Sequence, residues 1–410
     1  MAASSAYGYS SDLGWDLGGK VGKSEGLGST QWGGACSVDL NLSDEQQQLV
    51  DSFAALYAKD SPPERVRSAE RTRHDPELWL RLQENGALEM AVDEQAGGWG
   101  ASLLDLALVA EQHGRHLGSA PLLEAQAAVR LLARLASSDA KNSPPQRHRA
   151  KELLESVLAG GRLVTLALRP PTADAVLTLV PAGAIADDVL FFGGDSLRHI
   201  AFDSTATGTG TGDRRAATNI GSLPLADVDV PASATTDPAS ATDLASGPEA
   251  TAAFDQAVNE WMILMAGALV GLATRSIEIG VEYVKERKAF GVPIGSFQAI
   301  SHGLADAATA LDGAKLLARE AAWSAAVEPG RTPELGPLAF GFCTETAREA
   351  SYRSLHYHGG YGFMLEYDIQ LYFRRARGWP AQFAEPDVAY GMAAARRLAA
   401  RGAADHDGGD

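Results

Sequence analysis

The spacing of hydrophobic positions along the chain changes twice, and these changes predict three structural parts. From about residue 42, apolar residues recur at helical intervals, for example Leu49, Phe53 and Leu56, behind the acidic first turn that follows Ser43. After about residue 160 the spacing becomes that of short β-type runs separated by Gly, Pro, Asp and Ser. From about residue 248 the helical spacing returns and continues to near residue 400. The pattern therefore predicts the order α, β, α.

We expect a mainly helical α+β protein with three domains. These are an N-terminal α-helical domain over residues 39–160, a small middle β-barrel or β-sandwich domain over 161–247, and a C-terminal domain resembling a four-helix bundle over 248–400. The clearest predicted strands are 163–168, 175–180, 186–192 and 197–202. Residues 1–38 have no positive segment followed by an apolar core, so we interpret them as a disordered extension rather than a secretory signal. Residues 401–410 are expected to form a flexible polar tail.

Composition and charge exclude some classes of partner. The 410 residues are 45% hydrophobic and 21% charged, with a formal net charge of −17. A nucleic-acid-binding surface needs a basic stripe, so we expect no nucleic acid partner. Cys36 and Cys343 lie far apart and form no metal-ligand spacing, which predicts reduced thiols, no bound metal and a cytoplasmic location. The most apolar stretch, 261–272, is too short to cross a bilayer, so we expect no membrane span.

The first candidate binding feature is the stretch YVKERKAFGVPIGSFQ, residues 283–298. Arg287 ends a helical run and carries a fork of N–H donors suited to phosphate groups. Phe290 and Gly291 turn the backbone, and Gln298 begins the next helix, where anions are favoured. The alternative is an ordinary helix end, in which the basic residue complements the helix dipole and glycine caps the helix.

The second candidate feature is LHYHGGYGFMLE, residues 355–366, which leads into a helix containing YFRRA. The pair Gly359 and Gly360 follows a helix and has no side chains to keep a ligand away. A glycine pair in this position allows the pyrophosphate or sugar of a cofactor to lie against the backbone. Two such features in one helical part favour a ligand site over chance.

Together with the loop EQAGGWGAS and the helix LLDLALVAEQHGR, these stretches resemble the acyl-CoA dehydrogenase family over roughly residues 42–400. The resemblance implies a flavoprotein, usually a tetramer, that binds FAD between subunits. It implies removal of two hydrogens across the α,β bond of an acyl-CoA thioester. The chain is therefore expected to bind FAD and an acyl thioester, and to form a homodimer, a homotetramer or a heteromer with a related subunit.

The resemblance also assigns cofactor contacts. It implies that Arg287, Phe290 and Gln298 contact the FAD of a neighbouring subunit, while Gly359 and Gly360 approach the adenosine part. His356 occupies the position where the family often has glutamine. Because imidazole can also donate a hydrogen bond, we include His356 among the cofactor contacts.

The chain departs from the family at the catalytic base, the glutamate that removes the α-proton. Of the two positions that the family uses, one is occupied here by Phe383 and the other by Trp261. Glu385 and Glu260 lie two residues and one residue away, and they are our candidate bases. The alternatives are an acidic residue at a helix start for Glu385 and a solvated charge for Glu260. Trp261 and Phe383 are expected to line an apolar substrate pocket.

The β domain departs as well. Where the family often has Thr-Glu-Pro followed by Gly-Ser-Asp, the chain reads ALRPP over 167–171, and no tryptophan lies between Trp99 and Trp261. Three interpretations stay open. The chain could be an acyl-CoA dehydrogenase with a displaced base. It could be a non-catalytic partner subunit that lends its cofactor contacts to another chain. It could also be a protein of the same fold with altered chemistry on a specialised metabolite.

Overall fold

The fold begins with six helices, in a computed structural model that describes residues 41–137, 144–202, 214–230 and 242–407. They are α1 Asp44–Asp60, α2 Pro63–Ala69, α3 Pro76–Glu84, α4 Leu103–Arg115, α5 Leu122–Ser137 and α6 Pro144–Leu158. Local sequence explains the starts of α1, α3 and α4, because Ser43 and Ser102 each form a reciprocal capping box and the Asp75 carboxylate accepts from two backbone N–H groups of α3.

The middle part contains two sheets. The strands are β1 Val164–Leu166, β2 Val176–Val180, β3 Asp188–Gly193, β4 Ser196–Ala201, β5 Arg214–Ala216, β6 Ala226–Asp229 and β7 Thr242–Ser246. One sheet has the order β1-β3-β4-β7 and the other β2-β6-β5. Among the described strands of these sheets, only β1 and β3 pair in parallel. Apolar side chains from both sheets, including Leu177, Val189, Phe191 and Val228, form a core of their own.

The last part is helical, apart from one small hairpin. It consists of α7 Gly247–Glu286, the hairpin strands β8 Lys288–Ala289 and β9 Val292–Pro293, then α8 Gln298–Val327, α9 Thr332–His358, α10 Ile369–Ala381 and α11 Pro386–Asp407. Helix α7 is the central element, because it packs against α4, α5, α8, α9 and α10. Its middle is apolar on all sides, as expected for a helix enclosed by others.

Small residues let α4 and α7 approach closely. A Cβ at Gly114 would lie 1.8 Å from the Ala268 carbonyl oxygen, and one at Gly271 would lie 1.8 Å from that of Glu111. Both distances are far inside van der Waals contact. The α4–α7 crossing therefore requires glycine at these two positions.

The predicted fold class, mainly helical with a middle β part, is confirmed, and the described strands include all four of those predicted most clearly. Two differences concern local limits. Strands β5 and β7 lie in a stretch expected to be mostly loop, and α11 continues to Asp407 into the expected polar tail. The expected extension, residues 1–38, lies outside the described residues. One hydrophobic core contains residues of all three parts, so the domain limits stay a prediction.

One described helix, α7, is long and apolar enough to cross a membrane by length and composition alone. However, 78% of its most apolar window is buried inside the fold. A central core helix has the same length and composition, and the packing of α7 against five other helices accounts for its apolar surface.

Candidate functional site

The corner predicted from residues 283–298 is a short hairpin that projects from the end of α7. The backbone N–H of Arg287 still bonds to the Tyr283 carbonyl, and the chain then reverses through Phe290 and Gly291, which have φ angles of 53° and 86°. A phenylalanine in the left-handed region is unusual, because its Cβ is crowded there. The Phe290 side chain is 97% exposed, and its ring makes an edge contact with Phe297 at 6.2 Å.

The base of the hairpin is fixed by packing, whereas its tip is exposed. Val284, Ile294 and Leu304 form a small buried cluster between α7, the segment after β9, and α8. Gln298 is the first residue of α8 and is exposed. The exposed side chains of Phe290 and Gln298 are therefore positioned by a buried cluster beneath them.

The second predicted stretch folds next to this hairpin. Helix α9 ends at His358, and Gly359 takes a φ of 60°, which turns the chain away. The guanidinium carbon of Arg287 lies 5.9 Å from the centre of the Tyr361 ring, and the rings of Tyr283 and His358 stack at 3.9 Å. Two motifs separated by about seventy residues of sequence thus form one surface.

This surface, which we call the cofactor face, consists of Arg287, Phe290, Gln298, His356, Gly359, Gly360 and Tyr361. His356 is exposed and stacks on Tyr352 at 5.8 Å. A Cβ at Gly359 or Gly360 would meet no atom within 4 Å, so the backbone there is open. Exposed donors, open backbone and an exposed aromatic ring suit a phosphate-containing, partly planar ligand such as FAD.

The two positions at which the resemblance led us to expect the base are occupied by aromatic residues, Trp261 and Phe383. Trp261 is fully buried, and its ring centre lies 5.7 Å from that of Phe383 and 6.0 Å from that of Phe340. Phe340 and Phe383 are themselves 5.9 Å apart in an edge contact. The expectation that Trp261 and Phe383 line an apolar substrate pocket stays a prediction, and in the structure both rings belong to a three-ring cluster with Phe340.

The candidate base Glu260 lies in a buried ion cluster. Its carboxylate is 2.8 Å from Arg134 and 3.0 Å from Arg130, and it also accepts a hydrogen bond from Gln256. Burial alone would raise the pKa of Glu260, but the two guanidinium groups outweigh it and lower the pKa to about 2. The alternative of a solvated charge is wrong, because the residue is only 2% exposed.

The other candidate base, Glu385, is exposed and also paired. Its two carboxylate oxygens accept from Arg348 at 2.5 and 3.0 Å. The hydrogen bond from Arg348 holds the pKa of Glu385 below its usual value. Both glutamates therefore have guanidinium partners and lowered proton affinity, which is the opposite of what a general base near neutral pH requires.

A small cavity of about 30 Å³, which we call the inner chamber, lies beside the aromatic cluster. The residues around it that matter here are Glu124, Ser222, Met265, Arg375, Trp379 and Gln382. Met265 lies one turn after Trp261 on α7, and Gln382 precedes Phe383, so the chamber adjoins the two base positions. This site could not be predicted from the sequence, because its residues come from four distant segments.

Glu124 is the ionisable residue of the inner chamber that sequence reasoning could have noticed. It lies in the first turn of α5 among Leu122, Leu123 and Ala125, all buried. Burial raises the pKa of Glu124 to about 7. A glutamate inside an apolar run was the available signal.

The β part also contacts the segment that carries Phe383. Arg169, from the segment that replaces the Thr-Glu-Pro sequence, donates two hydrogen bonds to the carbonyl oxygen of Phe383, at 2.5 and 3.2 Å. Where the family resemblance implies contacts to a flavin ring, this chain therefore links its β part to the loop after α10.

Glu260 also lines a larger cleft, with a volume of about 390 Å³. Asn259, Thr332 and Arg396 are among its lining residues. Arg396 donates to the Asn259 side chain and to the Pro333 carbonyl oxygen, so this polar wall is held in place. In the described part of the chain, no cluster of three or more His, Cys, Asp or Glu residues could hold a metal ion.

Comparison with known proteins gives consistent results. Residues 43–143 match the family model of the acyl-CoA dehydrogenase N-terminal domain, and residues 252–381 match that of the C-terminal domain. The acyl-CoA dehydrogenase IpdE2 of Mycolicibacterium smegmatis is 30% identical over 342 residues, which cover 82% of this chain and 94% of the relative.

Solved structures support the same fold. The ChsE4-ChsE5 complex from Mycobacterium tuberculosis matches with a TM-score of 0.70 and 24% identity, covering 90% of this chain and 99% of the matched one. The FAD complex of PigA matches with a TM-score of 0.72 and 20% identity, covering 89% and 100%. The chain belongs to the acyl-CoA dehydrogenase family, a family of oxidoreductases, and its cofactor is FAD.

Proposed function

We propose that this chain is a subunit of a flavin-dependent acyl-CoA dehydrogenase that completes the FAD site of a second, related chain carrying the catalytic glutamate. The observation that carries this proposal is the packed cluster of Trp261, Phe340 and Phe383 at the two base positions. A chain that removed the α-proton itself would need a carboxylate there.

The cofactor face gives independent support for the proposal. Arg287 would donate to the pyrophosphate of the neighbouring subunit's FAD, Gln298 would donate its amide N–H to the same cofactor, and Phe290 would cover an apolar edge. The Phe290 side chain is 97% exposed in the single chain, and this role would cover it with the cofactor. Bound FAD supplies the acceptor for the hydride that leaves the β-carbon.

The two glutamates near the base positions fit a structural role in this scheme. Glu260 of α7 pairs with Arg130 and Arg134 of α5, and Glu385, just before α11, pairs with Arg348 of α9. A relative of known structure, the ChsE4-ChsE5 complex, contains two different chains, which is the kind of assembly we propose here. We further propose a cytoplasmic location, on the grounds given by the cysteine content.

The test is to purify the tagged chain from its own cells, identify co-purifying chains by mass spectrometry, and record the visible spectrum. We expect a complex with a second family member, a flavin spectrum, and bleaching when a saturated acyl-CoA is added. The chain produced alone should be colourless and inactive. Arg287→Ala in the complex should lower the flavin content. A chain that binds flavin and is bleached by an acyl-CoA without a partner would overturn the proposal.

A second candidate function is a self-sufficient dehydrogenase, and the position of Glu124 favours it. This carboxyl has a pKa of about 7 and lines a chamber next to the base positions. If the isolated chain oxidises an acyl-CoA, Glu124→Gln should abolish turnover while leaving the flavin spectrum unchanged. Retained turnover in that variant would eliminate Glu124 as the base. Flavin binding without bleaching by any thioester would instead support altered chemistry.

A further inference from the structure

The inner chamber contains polar groups that lack hydrogen-bond partners. Among the described residues, the Nη1 atom of Arg375, the hydroxyl of Ser222 and the Oε1 atom of Gln382 are buried and unpaired. The three residues are 1%, 9% and 3% exposed. Buried polar atoms are rarely left without a partner in a stable protein. Three of them around one cavity can together bind a small polar group.

The orientation of each group is set by a second contact. The amide nitrogen of Gln382 donates to the Trp379 carbonyl at 2.9 Å, which leaves Oε1 as an acceptor for the cavity. Nη2 of Arg375 is held by Glu70 at 2.6 Å, which leaves Nη1 as a donor. The Ser222 hydroxyl can donate or accept. The occupant must therefore both accept and donate hydrogen bonds.

The backbone at Ser222 is also unusual. Its φ of 53° lies in the left-handed region, although the residue is not glycine. The preceding residue is fixed, because the Trp379 indole N–H donates to the Gly221 carbonyl at 3.1 Å. Such backbone strain is found where a side chain is held for binding.

We propose that the inner chamber is a binding site for a hydroxyl group on the acyl chain of a thioester ligand. A hydroxyl group accepts from Arg375, donates to Gln382 and bonds to Ser222 in either sense. The cavity volume of about 30 Å³ is enough for a small polar group such as a hydroxyl and too little for a long branch. Water offers the same chemistry, so the experiment must separate the two sources.

The position of the chamber agrees with this occupant. Met265 follows Trp261 by one helical turn, about 6 Å along α7. A ligand whose thioester lies against Phe383, the half-buried ring of the aromatic cluster, could thus extend its acyl chain toward the chamber. The thioester class rests on the proposed function, whereas the existence of the hydroxyl site rests on the unpaired groups alone. Binding at this site does not require that this chain carry the base.

The experiment compares butyryl-CoA with 4-hydroxybutyryl-CoA by titration calorimetry on the full chain, in the oligomer in which it purifies. We expect the hydroxylated compound to bind about tenfold more tightly. The preference should fall to about onefold in Ser222→Gly, which removes the hydroxyl and suits the left-handed backbone, so folding is preserved. Gln382→Met should have the same effect.

The matched control is Ser276→Ala, because the hydroxyl of Ser276 is buried and already bonded to the Leu272 carbonyl. This variant should keep the tenfold preference. Equal affinity for the two thioesters, or no binding of either, would overturn the proposal. In that case a high-resolution structure showing one ordered water on the three groups would assign the chamber to structural water only. These readouts are independent of flavin content and turnover, which test the proposed function.

Discussion

At the scale of single residues, the pKa of Glu260 depends on two opposed effects, and their balance decides the role of this residue. Its burial favours a neutral carboxyl, and its contacts with Arg134 and Arg130 favour the charged form. The charged form prevails because two guanidinium groups share one carboxylate, and the pKa is about 2. The group is therefore a structural anion that holds α5 against α7.

We predict that Glu260→Gln destabilises the chain by about 3 kcal/mol, because it removes the carboxylate that pairs with the partly buried guanidinium groups of Arg130 and Arg134. The same substitution at the exposed pair, Glu385→Gln, should cost less than about 1 kcal/mol. The measurement is urea unfolding of the two variants and the wild type. Equal losses at the two positions would contradict the buried ion cluster.

The Glu260 cluster also predicts a dependence of stability on pH. The pKa in the folded chain is lower than the ordinary value of 4.5, so the stabilisation is present above pH 4.5 and is lost as the pH falls toward 2. Unfolding free energies measured between pH 5 and pH 2 should therefore fall less steeply in Glu260→Gln than in the wild type. Identical slopes would show that folding does not lower the pKa of Glu260.

At the scale of elements, the α4–α7 crossing determines how the helical parts meet the site. Both helices carry glycines at the contact, and α7 also carries Trp261 and Met265, which face the candidate site. A change in the distance between the two helices would therefore move the aromatic cluster and the inner chamber together.

We predict opposite effects for two helical glycines. Gly271→Ala should destabilise by about 1–3 kcal/mol, because its new methyl group would lie 1.8 Å from the Glu111 carbonyl and force the helices apart. Gly391→Ala, on the open side of α11, meets no atom within 4 Å and should stabilise by up to about 1 kcal/mol through helix propensity. Thermal unfolding measures both. A neutral Gly271→Ala would mean that the crossing is looser than described.

At the scale of the whole molecule, the cofactor face has the character of an incomplete site. The exposed apolar residues of the hairpin and of the segment after α9 include Phe290, Phe297, Phe363 and Leu365. A surface of this kind is expected to be covered in the functional assembly.

We predict that Phe290→Asp abolishes flavin binding and the association with the second chain, while the unfolding of the isolated chain stays unchanged. The reason is that Phe290 is 97% exposed and contributes almost nothing to the core. Leu80→Asp, also an exposed apolar position, is the comparison and should leave association intact. Sedimentation and visible absorbance check both variants. Association that survives Phe290→Asp would place the contact elsewhere.

The sequence by itself determined the order of α, β and α parts, because hydrophobic periodicity and helix caps are local signals. It also identified Arg287, Phe290, Gln298 and the Gly359–Gly360 pair as candidate cofactor contacts. From Trp261 and Phe383 it also predicted that glutamate is missing at the two expected base positions. These features depend on residues that are neighbours in the chain or that form compact motifs.

Only the tertiary structure decided what surrounds those residues. The arginines that pair with Glu260 precede it by more than a hundred residues, and the inner chamber brings together Glu124, Ser222 and Gln382. Such contacts arise where α5, α7 and α10 meet one another and the β part. No local sequence pattern predicts them. The pKa of a carboxylate and the partners of a buried polar group depend on distance in space, so they are settled by packing and not by sequence spacing.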